Sequence, residues 1–231
     1  MSEPASIESE KRAAGEAAAA LVETGMTVGL GTGSTAALFV RALAERRLGV
    51  RCVATSEATA ALAGSLGLNI VAFDGTEAID LTVDGADEIG PGLSLIKGGG
   101  AALLREKLVW SASRRCVVIA DAGKPKQRLG SYPLPIEVIP FGGALTARRI
   151  SAVLADGGID AVPVLRVRDG APVRTDSGNL IYDAPCRAIE DPPALAAALK
   201  AVTGVVDHGL FLGMAERALI GTPDGVVTLY P

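Results

Sequence analysis

The order of apolar and polar positions predicts alternating helices and strands over the first half of the chain. Stretches with helical spacing and short apolar runs of strand length follow one another as far as Ala120. The predicted helices span 6–23, 36–47, 57–66 and a segment that follows Gly100. The predicted strands span 26–31, 50–54, 68–72, 80–83 and 115–120, with a further apolar run at 93–96. This alternation is typical of an α/β fold, a parallel sheet with helices on both faces.

The pattern changes after Gly130. Prolines bracket a short predicted strand at 136–139, and the next elements alternate between helical and strand-like spacing. These are a helix at 144–155, strands at 161–168 and 179–182, and a helix that opens at Asp191-Pro192-Pro193 and ends near 202. The order is that of an α+β unit and predicts a small second domain. Short apolar runs after Gly204 are compatible with a return to the first sheet.

Composition limits the class of protein. The 231 residues are 49% hydrophobic and 21% charged, which suits one large domain or one domain with a smaller companion. The net charge of −4 and the lack of a basic run argue against nucleic acid as the main partner. The three cysteines are widely spaced and include no CxxC pair, so neither a disulfide framework nor a zinc site is predicted.

No targeting or membrane-spanning segment is predicted. The sequence begins Met-Ser-Glu-Pro-Ala-Ser, without a basic region followed by an apolar core, and no apolar run approaches the ~20 residues of a membrane span. We therefore expect a cytoplasmic protein that has no membrane partner.

The strongest candidate for chemistry is the run Lys97-Gly98-Gly99-Gly100 and the helix-forming segment after it. Three glycines let a ligand approach the main chain, and a helix N-terminus that follows them favours an anion. Lys97 adds a cation, and Glu106 is a potential base about a turn and a half into the helix. The alternative interpretation is a glycine loop that only permits close packing.

A second glycine-rich turn, from Gly29 to Thr35, follows a predicted strand and opens a helix. Open α/β sheets bind phosphate at this position, and the hydroxyls of Thr32, Ser34 and Thr35 would add donors. Ser34 stands where the dinucleotide fingerprint needs glycine, so a single phosphate is the expected ligand. A tight turn with a Ser or Thr N-cap is the alternative.

Charged side chains follow two more predicted strands. Asp84-Gly85-Ala86-Asp87 has two carboxylates suited to sugar hydroxyls, a metal or proton sharing, or simply to a solvated turn. Lys124 closes the turn that begins at Asp121 and adds either a site cation or an ordinary surface lysine. His208 is the single histidine, so we expect carboxylates and lysines to perform any proton transfer.

Seven segments in order give the chain a close resemblance to ribose-5-phosphate isomerases of the A type, from about residue 7 to the end. They are 29–35, 84–88, 97–107, 119–124, 134–138, 175–179 and 204–206. Gly123 stands where the family usually has Ser or a similar residue, and Arg12 accompanies Lys11 where lysines are usual.

The resemblance implies interconversion of D-ribose 5-phosphate and D-ribulose 5-phosphate through an enediolate, in the non-oxidative pentose phosphate pathway. It implies no metal and no cofactor, a small sugar phosphate as the partner, and a homodimer, with a tetramer as the alternative. It also implies a Rossmann-like catalytic domain (1–130 with 205–231) that carries an inserted, smaller α+β domain of ferredoxin-like type (131–204).

Site residues also follow from the resemblance. Glu106 would move the proton between C2 and C1, while Asp84, Asp87 and Lys97 would handle the sugar hydroxyls and ring opening. The implied substrate-binding residues are Lys11, Thr32, Gly33, Ser34, Thr35, Asp84, Gly85, Ala86, Asp87, Lys97, Gly98, Gly99, Gly100 and Lys124. Sugar-phosphate-sensing regulators and CoA transferases share the fold and are the competing classes; a sensor would not need Glu106, and a CoA transferase would acylate its glutamate.

Overall fold

A computed structural model describes residues 7–75 and 78–231. Within these ranges the helices are α1 (Ile7–Ala19), α2 (Ser34–Glu45), α3 (Glu57–Ser65), α4 (Leu103–Ser111), α5 (Gly143–Asp156) and α6 (Pro192–Lys200). The first eight strands are β1 (Thr27–Leu30), β2 (Arg51–Ala54), β3 (Asn69–Ile70), β4 (Leu81–Gly85), β5 (Glu88–Ile89), β6 (Leu95–Ile96), β7 (Cys116–Asp121) and β8 (Leu134–Val138). The others are β9 (Val164–Leu165), β10 (Val167–Arg168), β11 (Ala171–Pro172), β12 (Leu180–Ala184), β13 (Val205–His208), β14 (Leu210–Phe211), β15 (Arg217–Thr222) and β16 (Gly225–Leu229).

The chain folds into two compact units. The first consists of Met1–Ala86, Arg105–Pro125 and Met214–Pro231, and the second of Asp87–Leu104 and Lys126–Gly213. The predicted division into two domains, one of 1–130 with 205–231 and one of 131–204, stays a prediction. The compact units differ from it because they group 87–104, 126–130 and 205–213 with the second unit.

A seven-stranded sheet forms the centre of the first unit, in the order β16-β15-β7-β4-β1-β2-β3. All neighbouring strands are parallel except β15 and β16, which form an antiparallel pair. Strands β1 and β7 are buried along their whole length, as expected for a sheet covered on both faces. The predicted α/β class is confirmed, since apolar runs of strand length do alternate with helices in this unit.

Helix α1 packs unusually close to strand β15. A Cβ atom added to Gly221 would lie 1.9 Å from the carbonyl oxygen of Glu10, and one added to Gly15 would lie 2.9 Å from the backbone nitrogen of Phe39 in α2. Real Cβ atoms do not approach backbone so closely, so both positions require glycine. The alanines on the buried face of α1, Ala14 and Ala18, are fully buried in the same core.

The second unit contains a four-stranded antiparallel sheet in the order β13-β8-β12-β9. Helix α5 connects β8 with β9, and helix α6 connects β12 with β13, which is the ferredoxin-like β-α-β-β-α-β succession. Ile150 and Leu154 of α5 and Leu199 of α6 are fully buried with the strand residues. The predicted ferredoxin-like α+β unit is therefore confirmed.

Several predicted elements change in detail. The predicted strand 161–168 is interrupted, because Val167–Arg168 forms a hairpin with Ala171–Pro172 instead of continuing β9. Of the apolar runs after Gly204, β15 and β16 return to the first sheet, whereas β13 pairs with β8 and β14 pairs with β6. The predicted helix 6–23 is present from Ile7 and ends at Ala19, while Ser6 lies outside the described residues. None of the helices within 7–75 and 78–231 has the length and apolar character needed to cross a membrane.

Candidate active site

In the first unit, the turn after β1 rests on the carboxylate of Asp84. This side chain is fully buried, and its Oδ1 accepts hydrogen bonds from the N–H groups of Thr32 at 3.1 Å and Gly85 at 2.7 Å. A Cβ atom on Gly31 would lie 2.1 Å from the same oxygen, so glycine is required there. Asp84 thus holds the end of β4 against the end of β1, where ligands bind in open α/β sheets.

The same turn leads into the N-terminus of α2. Gly33 occupies the N-cap with a φ of 114°, and Ser34 and Thr35 form the first turn of the helix. The Nζ atom of Lys11, on α1, donates to Ser34 Oγ at 3.1 Å. Unpaired N–H groups, the helix dipole and a lysine therefore converge at one point, an arrangement that suits a phosphate group.

A cluster of buried hydroxyl groups supports the turn from beneath. Thr32 Oγ1 lies 2.7 Å from Thr55 Oγ1 and 2.8 Å from Ser56 Oγ, while Thr59 Oγ1 donates to the carbonyl of Gly31 at 2.9 Å. Thr55, Ser56 and Thr59 are all buried. The Thr32 side chain therefore points into this cluster, which anchors the turn.

The turn that carries Lys124 is held at the end of β7. Its Gly123 and Lys124 N–H groups donate to Asp121 Oδ1 and Asp121 O at 3.0 and 3.2 Å, and the Ala122 N–H donates to Glu10 Oε2 at 3.1 Å. Glu10 is buried although it is charged. Helix α1 therefore contacts two candidate loops, the Ser34 turn through Lys11 and the Lys124 turn through Glu10.

Glu106 lies in the first turn of α4 and is 3% exposed. The neighbouring Arg105 faces outward and lies 3.7 Å from Glu57. A carboxylate is almost never buried in a core without a function or a defined set of contacts. The burial of Glu106 agrees with a carboxylate that must react away from bulk water.

In the second unit, the run of three glycines forms a tight turn. The N–H of Ala101 donates to the carbonyl of Gly98 at 3.0 Å, and both residues have positive φ values, 57° and 114°. Asp87 Oδ2 accepts from the N–H of Gly99 at 2.8 Å. Added Cβ atoms would lie 2.7 Å from Asp87 Oδ1 at Gly99 and 2.9 Å from Leu103 at Gly98, so a side chain at either position would have to displace its neighbour. Asp87 and the glycine run, which were predicted to act together, are therefore joined by a direct hydrogen bond.

Lys97 is 2% exposed, and its Nζ lies 5.4 Å from the centre of the Phe211 ring. Its backbone N–H donates to the carbonyl of Gly209 at 2.9 Å, and a Cβ on Gly209 would lie 2.2 Å from the carbonyl of Lys97. The aromatic face and the close backbone contact fix the lysine side chain in a buried position. A buried ammonium group is a strong local source of positive potential.

Arg166 binds the glycine turn from the other side. Its guanidinium forms a two-pronged ion pair with Asp183, at 2.8 and 2.5 Å, and its Nη1 donates to the carbonyls of Gly98 and Gly99 at 2.8 and 3.2 Å. Burial by itself lowers the pKa of Arg166, but hydrogen bonding to Asp183 and the nearby negative charge raise that pKa above its ordinary value.

Two buried glutamates of the second unit are also hydrogen-bonded. Glu88 accepts from the N–H groups of Gly130 and Tyr132 at 2.7 and 2.6 Å. Glu137 Oε1 accepts from Thr175 Oγ1 and Asn179 Nδ2, each at 2.9 Å. Burial raises the pKa of Glu137 above its usual range, although these two hydrogen bonds lower it.

The structure thus brings Lys11, Ser34, Thr32 and Asp84 into one set in the first unit, with Gly33 and Thr35 in the same turn. Asp87 and the Lys97–Gly100 run form another set in the second unit. The segment 84–87 is divided between the units after Ala86. Across the residues described, no group of three or more His, Cys, Asp or Glu side chains is placed to hold a metal ion.

Sequence reasoning missed two groups of residues. The hydroxyls of Thr55, Ser56 and Thr59 follow strand β2, which pairs with β1, so polar residues at a second strand end were a usable signal. Arg166 gave no such signal, because it lies 68 and 67 positions from Gly98 and Gly99, which it contacts, and within an ordinary strand pattern.

Known proteins resemble this chain over almost its whole length. Residues 51–225 match the family model described as ribose 5-phosphate isomerase A (phosphoriboisomerase A). The chain is 63% identical over 227 residues to a ribose-5-phosphate isomerase A from Caulobacter sp. strain K31, covering 98% of this chain and 100% of that one. The crystal structure of ribose 5-phosphate isomerase A from Neisseria gonorrhoeae superimposes with a TM-score of 0.92 at 32% identity, over 99% of both chains. A D-ribose-5-phosphate isomerase in complex with phospho-erythronic acid superimposes with a TM-score of 0.91 at 36% identity, over 98% of this chain and 100% of the other. The chain belongs to the ribose 5-phosphate isomerase A family.

Proposed function

We propose that this protein interconverts D-ribose 5-phosphate and D-ribulose 5-phosphate, without a metal, as a step of the non-oxidative pentose phosphate pathway. The observation that carries the proposal is the buried Glu106 in the first turn of α4, directly after a glycine turn ordered by Asp87. A base of this kind suits removal of a proton next to a carbonyl group. The family relatives perform this reaction by name.

The phosphate group of the substrate binds at the start of α2. The N–H groups of Gly33, Ser34 and Thr35 lie at the helix N-terminus, where the first N–H groups have no helical partner. Lys11 supplies a positive charge beside Ser34. The hydroxyl cluster around Thr32 keeps the turn in place, so the binding of a doubly charged group needs little rearrangement.

The remaining predicted residues bind the hydroxyl groups and the carbonyl oxygen of the substrate. Carboxylates accept from hydroxyls and lysines donate to oxygens, which is the balance that a polyhydroxylated chain requires. The residues in this role are Asp84, Gly85, Ala86, Asp87, Lys97, Gly98, Gly99, Gly100 and Lys124. The related isomerase that binds phospho-erythronic acid, a short phosphorylated sugar acid, supports a site of this size and polarity.

In the chemical step, the Glu106 carboxylate takes the proton from C2 of the open-chain aldose. The electrons of that bond form the C1=C2 double bond, and negative charge develops on the former carbonyl oxygen. Glu106 then returns the proton to C1, while the proton of the C2 hydroxyl is transferred to the oxygen on C1. Lys97 and the glycine N–H groups that do not donate to Asp87 stabilise the negative oxygen, each donor contributing about 3–4 kcal/mol.

The test is an assay with D-ribose 5-phosphate in buffer that contains EDTA, following the appearance of the ketopentose phosphate. We expect turnover that EDTA does not reduce, and a loss of about 10²–10⁴-fold in kcat for Glu106→Gln. Binding of phospho-erythronic acid to the variant should persist, because the substitution preserves shape. Glu16→Gln, the same change at an exposed position of α1, is the matched control and should keep wild-type kinetics.

Three results would contradict the proposal or a part of it. If the folded wild-type protein forms no ketopentose phosphate, it does not catalyse the proposed reaction. Wild-type turnover by Glu106→Gln would leave the reaction but remove this residue from the role of base. Activity lost in EDTA and restored by a divalent ion would make Asp84 and Asp87 metal ligands instead of sugar-binding groups.

We also propose a cytoplasmic homodimer. Cys52, Cys116 and Cys186 are buried free thiols, the state expected in a reducing compartment. Three exposed valines of the second unit, Val162, Val164 and Val167, are 70%, 61% and 59% exposed. Val164 lies in β9, the edge strand of its sheet, and exposed apolar side chains at and near such an edge are suited to a subunit contact.

A further inference from the structure

Arg166 is mostly shielded from solvent in the second unit although nothing in its sequence surroundings indicates a function. Its side chain is 12% exposed, and four hydrogen bonds involve its guanidinium. Two go to the carboxylate of Asp183 and two go to the carbonyl oxygens of Gly98 and Gly99. An arginine can bind a carboxylate and two carbonyls at once because its donors form a fixed planar fork, which lysine lacks.

These contacts determine the orientation of two peptide groups. The described chain has no cis peptide bonds, and in a trans peptide the C=O and the N–H point in opposite directions. With the Gly98 carbonyl directed at Arg166, the Gly99 N–H points away and donates to Asp87 Oδ2 at 2.8 Å. With the Gly99 carbonyl directed at Arg166, the Gly100 N–H must also point away from the guanidinium.

The glycine run would not keep this orientation without help. Glycine has the largest backbone freedom of all residues, so fixing its conformation costs more entropy than fixing that of any other residue. Gly100 is exposed, so no surrounding packing orients its N–H. The two-pronged ion pair between Arg166 and Asp183, which is mostly shielded from solvent, supplies the missing constraint.

We propose that Arg166, held by Asp183, is a positioning residue that aims the Gly100 N–H at the oxygen that becomes negative during isomerisation. The inference rests on the proposed function, because it assigns that N–H a place in the stabilisation of the enediolate. Arg166 acts through the main chain of Gly98 and Gly99 and does not itself contact the reacting atoms. The expected consequence of losing it is a lower kcat with substrate affinity largely preserved.

The kinetic test compares Arg166→Met and Asp183→Asn with Arg168→Met, a matched change at an exposed arginine two positions away. We expect kcat to fall about 10–100-fold in the first two variants, with KM within about threefold of wild type, since a donor that acts in the transition state is weakened. Arg166→Lys should recover only part of the loss, and the double variant should lose little more than either single variant. Arg168→Met should match the wild type.

A second measurement does not depend on activity. Amide hydrogen exchange, followed by NMR, reports on the Gly99 N–H that Asp87 accepts. We expect its exchange to accelerate about tenfold or more in Arg166→Met and Asp183→Asn, and to stay at the wild-type rate in Arg168→Met. Asp183→Asn preserves the size of the side chain and serves if Arg166→Met does not fold.

The outcomes separate the two proposals. If the wild type isomerises ribose 5-phosphate but both variants keep kcat within about twofold, the positioning role is wrong and the proposed function stands. Loss confined to KM, or Gly99 exchange that does not change, would also overturn the role. If the wild type does not isomerise the substrate, the proposed function fails, and the exchange rates alone decide whether Arg166 orders the turn.

Discussion

At the scale of single residues, buried and half-buried carboxylates organise most of the loops described above. Asp84 accepts from the turn after β1, Asp87 from Gly99, Glu88 from the segment around Gly130, and Glu10 from Ala122. Each accepts backbone N–H groups, and charge-assisted hydrogen bonds of this type are stronger than neutral ones. The loops therefore owe their shape to acidic side chains that come from elsewhere in the sequence.

Glu137 gives a pH-dependent prediction. Burial raises its pKa in the folded protein above the unfolded value, so the folded state holds this proton more strongly. Its contribution to the free energy of unfolding is therefore complete below the unfolded pKa and is lost as the pH rises through the folded pKa. Glu137→Gln lacks this loss, so the stability of the variant relative to wild type should increase as the pH rises from about 4 to 8.

Urea unfolding of both proteins across this pH range is the measurement. The difference in the free energy of unfolding should change by about 1.4 kcal/mol for each unit by which the two pKa values differ. Glu190→Gln, at a glutamate with a 74% exposed side chain, is the control and should show a much smaller change. A difference that is constant with pH would mean that Glu137 is ionised as easily in the folded chain as in the unfolded one.

At the scale of elements, α1 is the helix with the most consequences for the site. One face of the helix packs against β15 and α2, and side chains at its edge reach the Ser34 and Lys124 turns. Lys11 and Arg12 are adjacent in sequence, yet only Lys11 donates to Ser34, and Arg12 is exposed. Neighbouring helical positions point about 100° apart, which explains the difference.

The pair permits a controlled test of phosphate binding. Lys11→Met should raise the KM for ribose 5-phosphate about 10–100-fold with little change in kcat, because a charge-assisted hydrogen bond to phosphate contributes about 1.5–3 kcal/mol. Arg12→Met makes the same change in charge on the next residue and should leave KM unchanged. Equal effects of the two substitutions would indicate general electrostatic attraction instead of a defined phosphate contact.

The elements also show what the sequence reveals and what it conceals. Apolar runs in the sequence predicted the ends of β1, β2, β4 and β7 to within two residues, because buried parallel strands are continuous apolar runs. They did not assign β13 to the ferredoxin-like sheet, since pairing with β8 joins residues that are far apart in the sequence, such as His208 and Ile136. The turn at 31–35 and the glycine run were visible as local motifs. The contact of Arg166 with the glycine run forms only when distant segments of the chain fold together.

At the scale of the whole molecule, the apolar edge of the second unit gives a prediction about assembly. Sedimentation should yield twice the chain mass of 23.4 kDa if the homodimer forms. Val164→Asp should shift the equilibrium toward the monomer, because it places a charge in a desolvated contact. Val227→Asp, at a valine of β16 that is 50% exposed, is the control and should leave the mass unchanged. A wild-type monomer at all concentrations would contradict the proposal.

The close packing of α1 against Gly221 also has a consequence for folding during synthesis on the ribosome. Ribosomes deliver α1 early, but β15 follows roughly 200 residues later, which corresponds to on the order of 10–40 s of synthesis. Until β15 has been synthesised, α1 lacks the strand against which the backbone of Glu10 packs. A nascent chain should therefore be unable to capture phosphorylated sugar until translation has passed β15.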